Sequence, residues 1–571
     1  MPGSDFGFVG QSYEAPDPYQ DSQQCINWYV EVSQDGKSKT PTALLGCPGL
    51  NDIIQFGVVA AVRGSWVLPG GLQCVYVSGN TVYVVTMTVP ATQTAIAQFS
   101  TASVGTLNTN SGQVSIRDNG AGGYVVLADG LNGYYYRIAG AGSTSFTGTP
   151  TSGSTTLPYS GTLNTALVVG SVLSGTGIAV GATIVSINTS AGTIAMSAVA
   201  TSSPGATTIS VALASFGVIS DPGFEPPDRW AFIDGWLISN RSGTQEFCTS
   251  SPVPYTLIFD PLFFALKDSS SDNLISLQEI NRELWLVGER VSEIWFNAGG
   301  AQFAFQRIPG ASPPIGTSAA QTVAQVGDSL MWLGKNAQGE NVVIQTQQYS
   351  WKRVSTHAIE KAIASYPLVS DAFGFAYEDQ GHLFYLLTFP TADVTWCYDA
   401  STGMWHQRLS YDSVTGQFHR HRSNCYANFQ NLRLVGDYQS GQVHQMSRSF
   451  YTDAGEPLVA VRRCPHIWSA EDRKRVFQSS LQIEFAPGVG LQTGQGFDPQ
   501  AMLKFSDDGG ASFGTEHWTS IGKAGRFKNR AMWRRLGQAR DRVFEVRITD
   551  PVYRDIVGAT LFGQGSETGG A

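Results

Sequence analysis

Short apolar runs separated by two-residue turns recur along most of the chain. Each unit is typical of strand, tight turn and strand, as in Cys74–Val77, the turn Gly79-Asn80, and Thr81–Val85. Six further units have the same form, with turns near residues 129, 234, 281, 327, 380 and 430. The seven turns are therefore 50, 105, 47, 46, 53 and 50 residues apart. A repeat of this length indicates the blades of a propeller or the coils of a solenoid.

Several units continue into a third apolar segment, as at Glu293–Phe296, Val342–Ile344 and Thr395–Tyr398. A propeller blade has about four strands, and a third segment brings each unit close to that number. We therefore predict a mainly β chain that contains a β-propeller of about seven blade-like hairpin repeats. Unrelated hairpins distributed over two β-sandwiches are the alternative.

The long interval of 105 residues contains an insert. Residues 138–220 include no Asp, Glu, Lys or Arg, and Gly142–Leu213 consists mainly of small and β-branched residues. Such a composition could be a low-complexity linker. However, its β-branched runs are separated by Gly and Ser/Thr turns, which favours a small β-domain. Its uncharged surface would suit either a protein contact or a passive decoration.

The pattern changes again after about residue 450. Leu481–Phe485, Met502–Phe505 and Val543–Ile548 have the composition of strands. We predict four parts: 1–141 with an N-terminal segment and the first blades, 142–213 as the insert, 214–450 with the remaining blades, and 451–571 as a C-terminal β-rich domain. The last part could instead supply closing strands plus an appendage.

Composition and charge exclude some classes of protein. The chain has 571 residues, more than one core normally serves, and only 14% are charged, which excludes a charged helical bundle. The formal net charge of −9 argues against nucleic-acid binding over the whole surface. Residues 451–571 nevertheless carry 16 Lys/Arg against 14 Asp/Glu, so the basic side chains collect near the C-terminus.

Seven cysteines are spread along the chain without any CxxC spacing, so we expect reduced, mostly buried thiols. The N-terminus lacks the charged and apolar regions of a secretory signal, and no run of about 18 apolar residues occurs. We expect a soluble protein that is made in the cytoplasm and does not insert into membranes.

Motifs for catalysis are largely missing from the sequence. It contains no GxSxG, HExxH or Walker A pattern, and Gly488-Val489-Gly490 is followed by Gly494, one residue too late for a dinucleotide fingerprint. His419 and His421 could supply two metal ligands from one strand face, but two ligands do not make a site. A solvated or interfacial basic strand is the favoured interpretation. We predict no catalytic residue, no metal site and no cofactor.

One hairpin resembles the Asp-box of sialidases and other propellers, S-x-D-x-G-x-[ST]-[WF]. Its defining residues are Ser506, Asp508, Gly510, Ser512 and Phe513. In that motif the aspartate caps turn amides and the aromatic residue enters the core, so we expect a structural role.

A basic segment follows this hairpin. It comprises Lys523, Arg526, Lys528, Arg530, Arg534 and Arg535, interleaved with Phe527 and Trp533. Phosphate-contacting patches have this composition. Arginine and tryptophan are also enriched at protein interfaces, so an interface or a solvated face is the favoured interpretation and a DNA-facing surface is the alternative.

Several segments together resemble the packaged-DNA stabilisation, or tail nozzle, proteins of P22-like short-tailed bacteriophages. The similarity begins at Cys25–Glu31, Lys39–Pro41 and Gly46–Leu50 and spans most of the chain. It continues through the segments Ser292–Phe296, Ile359–Tyr366, Asp508-Gly509, Arg530–Arg535 and Val546–Thr549. The insert at Gly142–Leu213 departs from the family pattern.

The resemblance implies a structural virion protein rather than an enzyme. Six copies would form a ring below the head-to-tail adaptor and prolong the portal channel. The ring would retain packaged DNA and let it pass during ejection, with needle, tailspike or fibre proteins attached nearby. The alternative is a carbohydrate-binding or carbohydrate-active, sialidase-like propeller, which convergent carboxylates and arginines in the central funnel would support.

Overall fold

The computed structural model describes residues 6–35, 37–90, 97–120, 123–140, 142–164, 167–252, 257–300, 303–336, 338–469 and 473–564. Almost all regular structure in these residues is β, arranged as a seven-bladed propeller, a small inserted β-domain and a β-sandwich. The predicted fold class is therefore confirmed. The blades are numbered 1 to 7 in chain order below.

Blades 1 to 4 are antiparallel sheets of four strands each. Blade 1 contains Val62–Val67, Gln73–Ser78, Thr81–Val89 and Gln98–Thr106. Blade 2 contains Ser115–Asp118, Tyr124–Ala128, Gly133–Arg137 and Phe216–Val218. Blade 3 contains Trp230–Ile233, Trp236–Asn240, Glu246–Thr249 and Phe264–Leu266. Blade 4 contains Leu274–Ile280, Glu283–Gly288, Ser292–Asn297 and Phe305–Arg307.

Blades 5 to 7 complete the circle. In blade 5, Gly316–Thr317 and Ala324–Val326 both pair with Ser329–Lys335, which is followed by Asn341–Gln347 and Ser350–Arg353. Blade 6 contains Phe373–Asp379, His382–Phe389, Val394–Asp399 and Met404–Gln407. Blade 7 contains Ser423–Phe429, Leu432–Asp437, Gln442–Ser447 and Gly49–Gln55. A short helix, His357–Ala364, joins blades 5 and 6 and buries Ile359 and Ile363.

All seven predicted turns lie in hairpins of the propeller. In blades 1 and 2 the predicted hairpin joins the second and third strands, whereas in blades 3, 4, 6 and 7 it joins the first and second. In blade 5 it joins Ala324–Val326 to Ser329–Lys335. This change of phase and the insert together produce the interval of 105 residues.

The insert forms its own six-stranded sheet between the third and fourth strands of blade 2. Its strand order is Val172–Ser174, Thr207–Leu213, Gly142–Gly148, Thr156–Ser160, Thr193–Met196 and Ile184–Asn188. Phe146, Leu157, Ile194 and Ile209 are buried in a core of its own. Residues 142–213 are thus packed structure, and the linker interpretation is wrong.

The sandwich combines strands from both ends of the chain. One sheet contains Trp28–Val32, Thr42–Gly46, Ile556–Gln564, Val476–Phe485 and Ala531–Arg534, with Gln538–Ala539 at its margin. The other contains Ser22–Ile26, Ala460–Arg463, Asp541–Ile548, Gln500–Ser506 and His517–Ser520, with Tyr13–Glu14 and Ile467–Trp468 at its margins. The sequence division grouped these N-terminal strands with the first blades, whereas they lie in the sandwich.

Asn27 lies where the chain crosses from one sheet of the sandwich to the other. Its φ of 56° falls in the left-handed region, which asparagine tolerates better than most residues. Its buried side-chain amide donates to the backbone oxygens of Leu409 and Val459 at 2.7 Å, and its Oδ1 accepts from Leu409 N at 3.1 Å. Asn27 therefore fixes the sandwich to the hairpin that follows blade 6.

The propeller and the sandwich also share a sheet. A parallel bridge between Ile26 and Gln407 joins the outer strand of blade 6 to Ser22–Ile26. The resulting sheet has eleven strands and runs from the inner strand of blade 6 to His517–Ser520 at the far edge of the sandwich. The two domains are consequently held by backbone hydrogen bonds as well as by side-chain packing.

The propeller is closed by a strand from near the N-terminus. Gly49–Gln55 pairs with Gln442–Ser447, which places Leu50 opposite Met446 and Ile54 opposite Val443. Within this strand pair, His444 lies opposite Asp52 and contacts its carboxylate at 2.8 Å. It also contacts Asp437 at 3.3 Å. Burial opposes the charge on His444, but the two carboxylates outweigh burial and raise its pKa to about 9.

We predict that His444→Asn weakens closure of the propeller in a pH-dependent manner. Because the folded-state pKa lies above the ordinary 6.5, the stabilisation is complete below pH 6.5 and is lost as the pH rises through 9. Urea denaturation at pH 6 should show a loss of about 3 kcal/mol at most, which declines towards pH 9.5. The exposed His357→Asn is the control, and a loss that does not change with pH would contradict this assignment.

Candidate functional site

The inner strands of the seven blades surround a cavity along the propeller axis, called the axial cavity below. Its volume is about 280 Å³, and its walls include residues from the first strand of every blade. Amide side chains dominate the polar lining: Gln113, Gln278, Gln321, Gln325 and Asn424. The cavity is therefore polar but largely uncharged.

Two arginines line the axial cavity, and both are already engaged. Arg117 pairs with Glu279 and lies 4.5 Å above the ring of Trp66. Arg229 donates to the backbone oxygens of Ala320 and Val323 at 3.0 and 3.1 Å, and burial lowers its pKa to about 10. The walls thus present little free positive charge to a ligand.

A wider cleft of about 680 Å³ forms the mouth of the axial cavity between blades 5, 6 and 7. Glu378 is the one carboxylate among the described residues that line it, while the adjacent Asp379 is buried and pairs with Arg433 at 3.1 Å. Successive residues of a strand point to opposite faces, so Glu378 and Asp379 do not form a pair. Glycoside hydrolysis by the usual route needs two facing carboxylates about 5 to 9.5 Å apart. The lining of the axial cavity and its mouth does not supply them.

The hairpin that resembles an Asp-box lies in the sandwich rather than in a propeller blade, between Gln500–Ser506 and His517–Ser520. Asp508 accepts hydrogen bonds from Ser506 Oγ at 2.6 Å, from Ser512 N at 2.9 Å and from Ser512 Oγ at 2.5 Å. These bonds lower the pKa of Asp508 to about 2. The aspartate therefore holds the turn, which is a structural arrangement.

The two glycines of this hairpin receive the N-terminal segment. Gly509 and Gly510 have φ of 72° and 90°, in the region that favours glycine. A Cβ on Gly509 would lie 2.5 Å from the ring of Tyr19, and one on Gly510 would lie 2.9 Å from Ser22 Oγ. The hairpin thus docks residues 19–22 onto the sandwich.

Phe513 corrects one part of the motif-based prediction. Its ring is half-buried rather than in the core, and the Arg463 guanidinium lies 4.7 Å above it. The side chain packs beneath a surface cation, so its contact is a cation–π interaction.

The basic segment lies at the end of the sandwich. Arg526, Lys528, Arg530, Arg534 and Arg535 are exposed, and Lys523 is half-buried beside Asp498 at 3.7 Å. Among the described residues, no carboxylate lies within ion-pair distance of the five exposed side chains. Their charges are therefore available to a partner or to solvent.

Trp533 was predicted to belong to this exposed surface, and that prediction is wrong. Its side chain is only 5% exposed, packs in the sandwich core and donates from Nε1 to His517 O at 2.7 Å. Alternation along Ala531–Arg534 explains this, because Ala531 and Trp533 face inward while Arg534 faces outward.

Strand pairing adds basic residues that sequence reasoning missed. Val476 pairs with Ala539, which brings the exposed Arg473 and Arg475 near the exposed Arg540. The basic run Arg473-Lys474-Arg475 can be seen in the sequence, but it precedes the predicted segment by some fifty residues. The sequence alone therefore does not indicate that it lies near Arg540. Arg473, Arg475 and Arg540 lie near the Val476 end of the strand Val476–Phe485, whereas Ala531 pairs with Ile483 near its other end. The name basic end is used below for Lys523, Arg526, Lys528, Arg530, Arg534 and Arg535.

The two histidines considered as metal ligands are engaged separately. His419 contacts Asp393 at 2.6 Å, whereas His421 lies beyond the strand end, buried between Arg408 and Ser423. The prediction that both histidines lie on a solvated strand is therefore wrong for His421. Within the ranges that the structure describes, no group of three or more His, Cys, Asp or Glu could hold a metal ion, and no helix is long and apolar enough to cross a membrane. All seven cysteines are unpaired, and six are buried.

We predict that Gly509→Ala loosens the N-terminal segment without unfolding the sandwich. The added methyl group meets the Tyr19 ring and the turn keeps a positive φ, which together cost roughly 1 kcal/mol of local stability. Hydrogen exchange in residues 13–26 should become about fivefold faster. Gly514→Ala, whose Cβ would make an ordinary contact, is the matched control. Equal exchange in the two variants would refute the docking role.

Comparison with solved structures finds several proteins of low similarity. PorZ, a surface component of the type-IX secretion system of Porphyromonas gingivalis, is 10% identical with a TM-score of 0.34; the match covers 82% of this chain and 46% of PorZ. Sqt1 of Saccharomyces cerevisiae is 12% identical over 70% of this chain and 98% of its own, with a TM-score of 0.33. The endosialidase of phage phi92 is 14% identical over 60% and 65%, with a TM-score of 0.24. These scores support no functional conclusion.

Family models give a more specific result. No curated protein sequence matches the chain. However, the model described as Bacteriophage P22 Gp10, beta-propeller matches residues 120–451, and the model described as Bacteriophage P22 Gp10, beta-sandwich matches residues 465–561. Both descriptions agree with the architecture observed in these residues. The chain therefore belongs to the bacteriophage P22 Gp10 family and is a structural protein of a phage tail.

Proposed function

We propose that copies of this chain form the nozzle ring of a short phage tail. In this proposal six subunits lie below the head-to-tail adaptor and extend the portal channel. The ring retains the packaged genome and later serves as its exit conduit. It also carries needle, tailspike or fibre proteins, and assembles in the host cytoplasm. The family membership supports the tail location, and the structure supports the particular arrangement through the steps below.

The size of the axial cavity is the observation that carries the proposal. A B-DNA duplex is wider than its major groove, which alone measures about 12 Å across. The axial cavity has about 280 Å³. Duplex DNA therefore does not pass through a single propeller, and a conduit for it requires a space enclosed by several copies.

The construction of the subunit suits such an enclosure. The eleven-stranded sheet makes the propeller and the sandwich one continuous hydrogen-bonded structure through the Ile26–Gln407 bridge. Among the described residues, the open strand edges of blades 1 to 5 lie at their outer strands, and radial repetition of this kind keeps the edges short, which limits uncontrolled sheet pairing. A rigid body with broad faces can hold a channel of constant width against the pressure of a packaged genome.

The charge distribution also suits a conduit. Residues 1–450 carry a formal net charge of −11, whereas residues 451–571 carry +2. Every additional phosphate contact strengthens DNA binding, so a strongly basic lumen would slow ejection. A lumen formed mainly by the acidic part of the chain would let DNA slide. A channel wall dominated by Lys and Arg would contradict this argument.

The insert offers a possible attachment surface without altering the conduit. The insert projects from blade 2 and has a sheet of its own, and residues 138–220 contain no Asp, Glu, Lys or Arg. Such a surface contacts other proteins without a strong charge preference. Passive decoration of the ring is the alternative role.

We expect tails imaged in intact virions to contain a six-fold ring of this protein beneath the adaptor, around a channel wide enough for duplex DNA. Particles that lack the protein should package DNA and then lose it, because nothing closes the channel below the adaptor. Electron microscopy and nuclease-resistant DNA content measure the two effects.

The matched control is a variant in which a short Gly/Ser linker replaces residues 142–213. It removes the insert and leaves the blade strands on either side, so the ring and the retained DNA should persist. The proposal fails if the protein is missing from virions or is found as a peripheral fibre that encloses no channel.

A further inference from the structure

The proposed ring needs two different, complementary surfaces on each subunit. A contact that repeats around a closed ring is heterologous, so one patch of a copy meets another patch of its neighbour. The described residues contain a basic, aromatic cleft at one end of the molecule and an acidic, apolar turn at the other.

The cleft lies at the far edge of the eleven-stranded sheet, beside the strand His517–Ser520, and has a volume of about 420 Å³. Its buried floor includes Trp533 and Leu536. Its rim carries Arg534, Arg535 and Trp518, and the Trp518 side chain is 60% exposed. In this part of the basic end two arginines surround an apolar floor, and the lining also includes Glu516, whose carboxylate pairs with Lys504 at 3.1 Å.

The turn lies at the outer edge of blade 3. Asp260 organises it, since its Oδ1 accepts from Leu262 N and its backbone oxygen accepts from Phe263 N, both at 2.9 Å. Leu262 is 78% exposed, and the strand Phe264–Leu266 that follows keeps both terminal side chains partly exposed. Within the described structure this strand has a partner on one side only. An exposed apolar edge of this kind marks an interaction site.

Acidic side chains flank these apolar residues. Asp260 and Asp268 are both exposed, and Asp268 keeps most of its surface accessible although Arg307 contacts it at 2.6 Å. Lys267, the basic residue between them, is buried and paired with Asp272 at 2.7 Å. The turn therefore presents two carboxylates around the exposed Leu262. This arrangement complements the cleft, in which two arginines surround an apolar floor.

Blade order places the two surfaces on opposite sides of the subunit. The sandwich extends outward from the fourth strand of blade 6, and its N-terminal segment continues directly into the closing strand of blade 7. In a seven-bladed circle, blade 3 lies directly across from the junction of blades 6 and 7. Surfaces on opposite flanks allow every copy to contact two neighbours in the same way.

Duplex DNA is a poorer match for this cleft than a protein. Phosphates would pair with Arg534 and Arg535 but would leave Trp518 and the apolar floor without a partner. Arginine and aromatic residues together, with few lysines, are characteristic of protein interfaces. The described residues that line the cleft include no lysine, and their one carboxylate, Glu516, is already paired with Lys504.

We propose that the turn Asp260–Leu266 of one copy inserts into the cleft of Trp518, Arg534 and Arg535 of the next copy and so forms the contact between subunits of the ring. The Leu262 side chain packs on the apolar floor of the cleft, and the carboxylates of Asp260 and Asp268 face the two arginines. This inference rests on the proposed ring, and it assigns the ring's lateral contact to particular residues.

The test is cysteine cross-linking in assembled tails. Tails from virions built with the full-length variant Leu262→Cys/Trp518→Cys are treated with a short bis-maleimide and separated under denaturing conditions. A ladder of covalent multimers that ends at the ring number is expected. Leu262→Cys and Trp518→Cys alone should give no ladder, and they also control for Cys425, the one native cysteine that is not fully buried.

The matched control is Leu131→Cys/Trp518→Cys. Leu131 is 68% exposed, similar to Leu262, but lies in a turn of blade 2. This variant should give no ladder. A second variant, Arg534→Glu/Arg535→Glu, should abolish ring assembly, and adding Asp260→Lys/Asp268→Lys to the same chain should restore it by reversing both charges.

The outcomes separate this inference from the proposed function. Rings without a Leu262→Cys/Trp518→Cys ladder would overturn the inference and leave the nozzle proposal intact. If wild-type tails contain no ring, the nozzle proposal itself fails. If Arg534→Glu/Arg535→Glu leaves rings intact but abolishes salt-dependent binding of linear duplex DNA, the cleft belongs to the DNA path, and the inference is overturned.

Discussion

Closure of the propeller by Gly49–Gln55 is the constraint on which the rest of the structure depends. Blade 7 has only three strands from its own part of the sequence, and the fourth comes from almost four hundred residues earlier. The segment just before this strand builds part of the sandwich, and Asn27 fixes its crossing point. One stretch of some thirty residues therefore completes both domains and sets their relative position.

Sequence reasoning succeeded where structure is local. The seven hairpins were predictable because each pairs strands separated by two turn residues, and turn chemistry and apolar runs lie together in the sequence. The pairing of Cys25 with Arg462, or of Leu50 with Met446, leaves no such local sign. The same limit applies to the candidate site. The exposed arginines of the basic segment were predicted, but the strand pairing that brings Arg475 near Arg540 was not. Trp533 shows the opposite case, because two-residue alternation could have identified it as buried.

The number of basic residues overstates the positive charge of the surface, because several arginines are buried. The buried Arg462 donates to the backbone oxygens of Phe8, Gln11 and Gln24 and thereby anchors the N-terminal segment. Arg63 binds a loop of blade 1 in the same way, through Gly79, Thr109 and Gly112 oxygens. A guanidinium has five donors in a fixed plane, which suits it to gathering carbonyl groups from separate loops. Arg526, Lys528, Arg530, Arg534 and Arg535 of the basic end, by contrast, are exposed.

A channel formed between subunits separates two demands that conflict within a single pore. Subunit contacts need strong attraction, which arginines and aromatic side chains provide, whereas a DNA conduit needs walls that do not hold phosphates. In the proposed ring, Arg534 and Arg535 of the basic end meet a carboxylate-bearing edge, which neutralises their charge away from the DNA. The axial cavity of each propeller is small and lined by amides, with its two arginines already engaged. The propeller then acts as a rigid spacer between one contact surface and the other, and its blades serve the assembly by setting their distance.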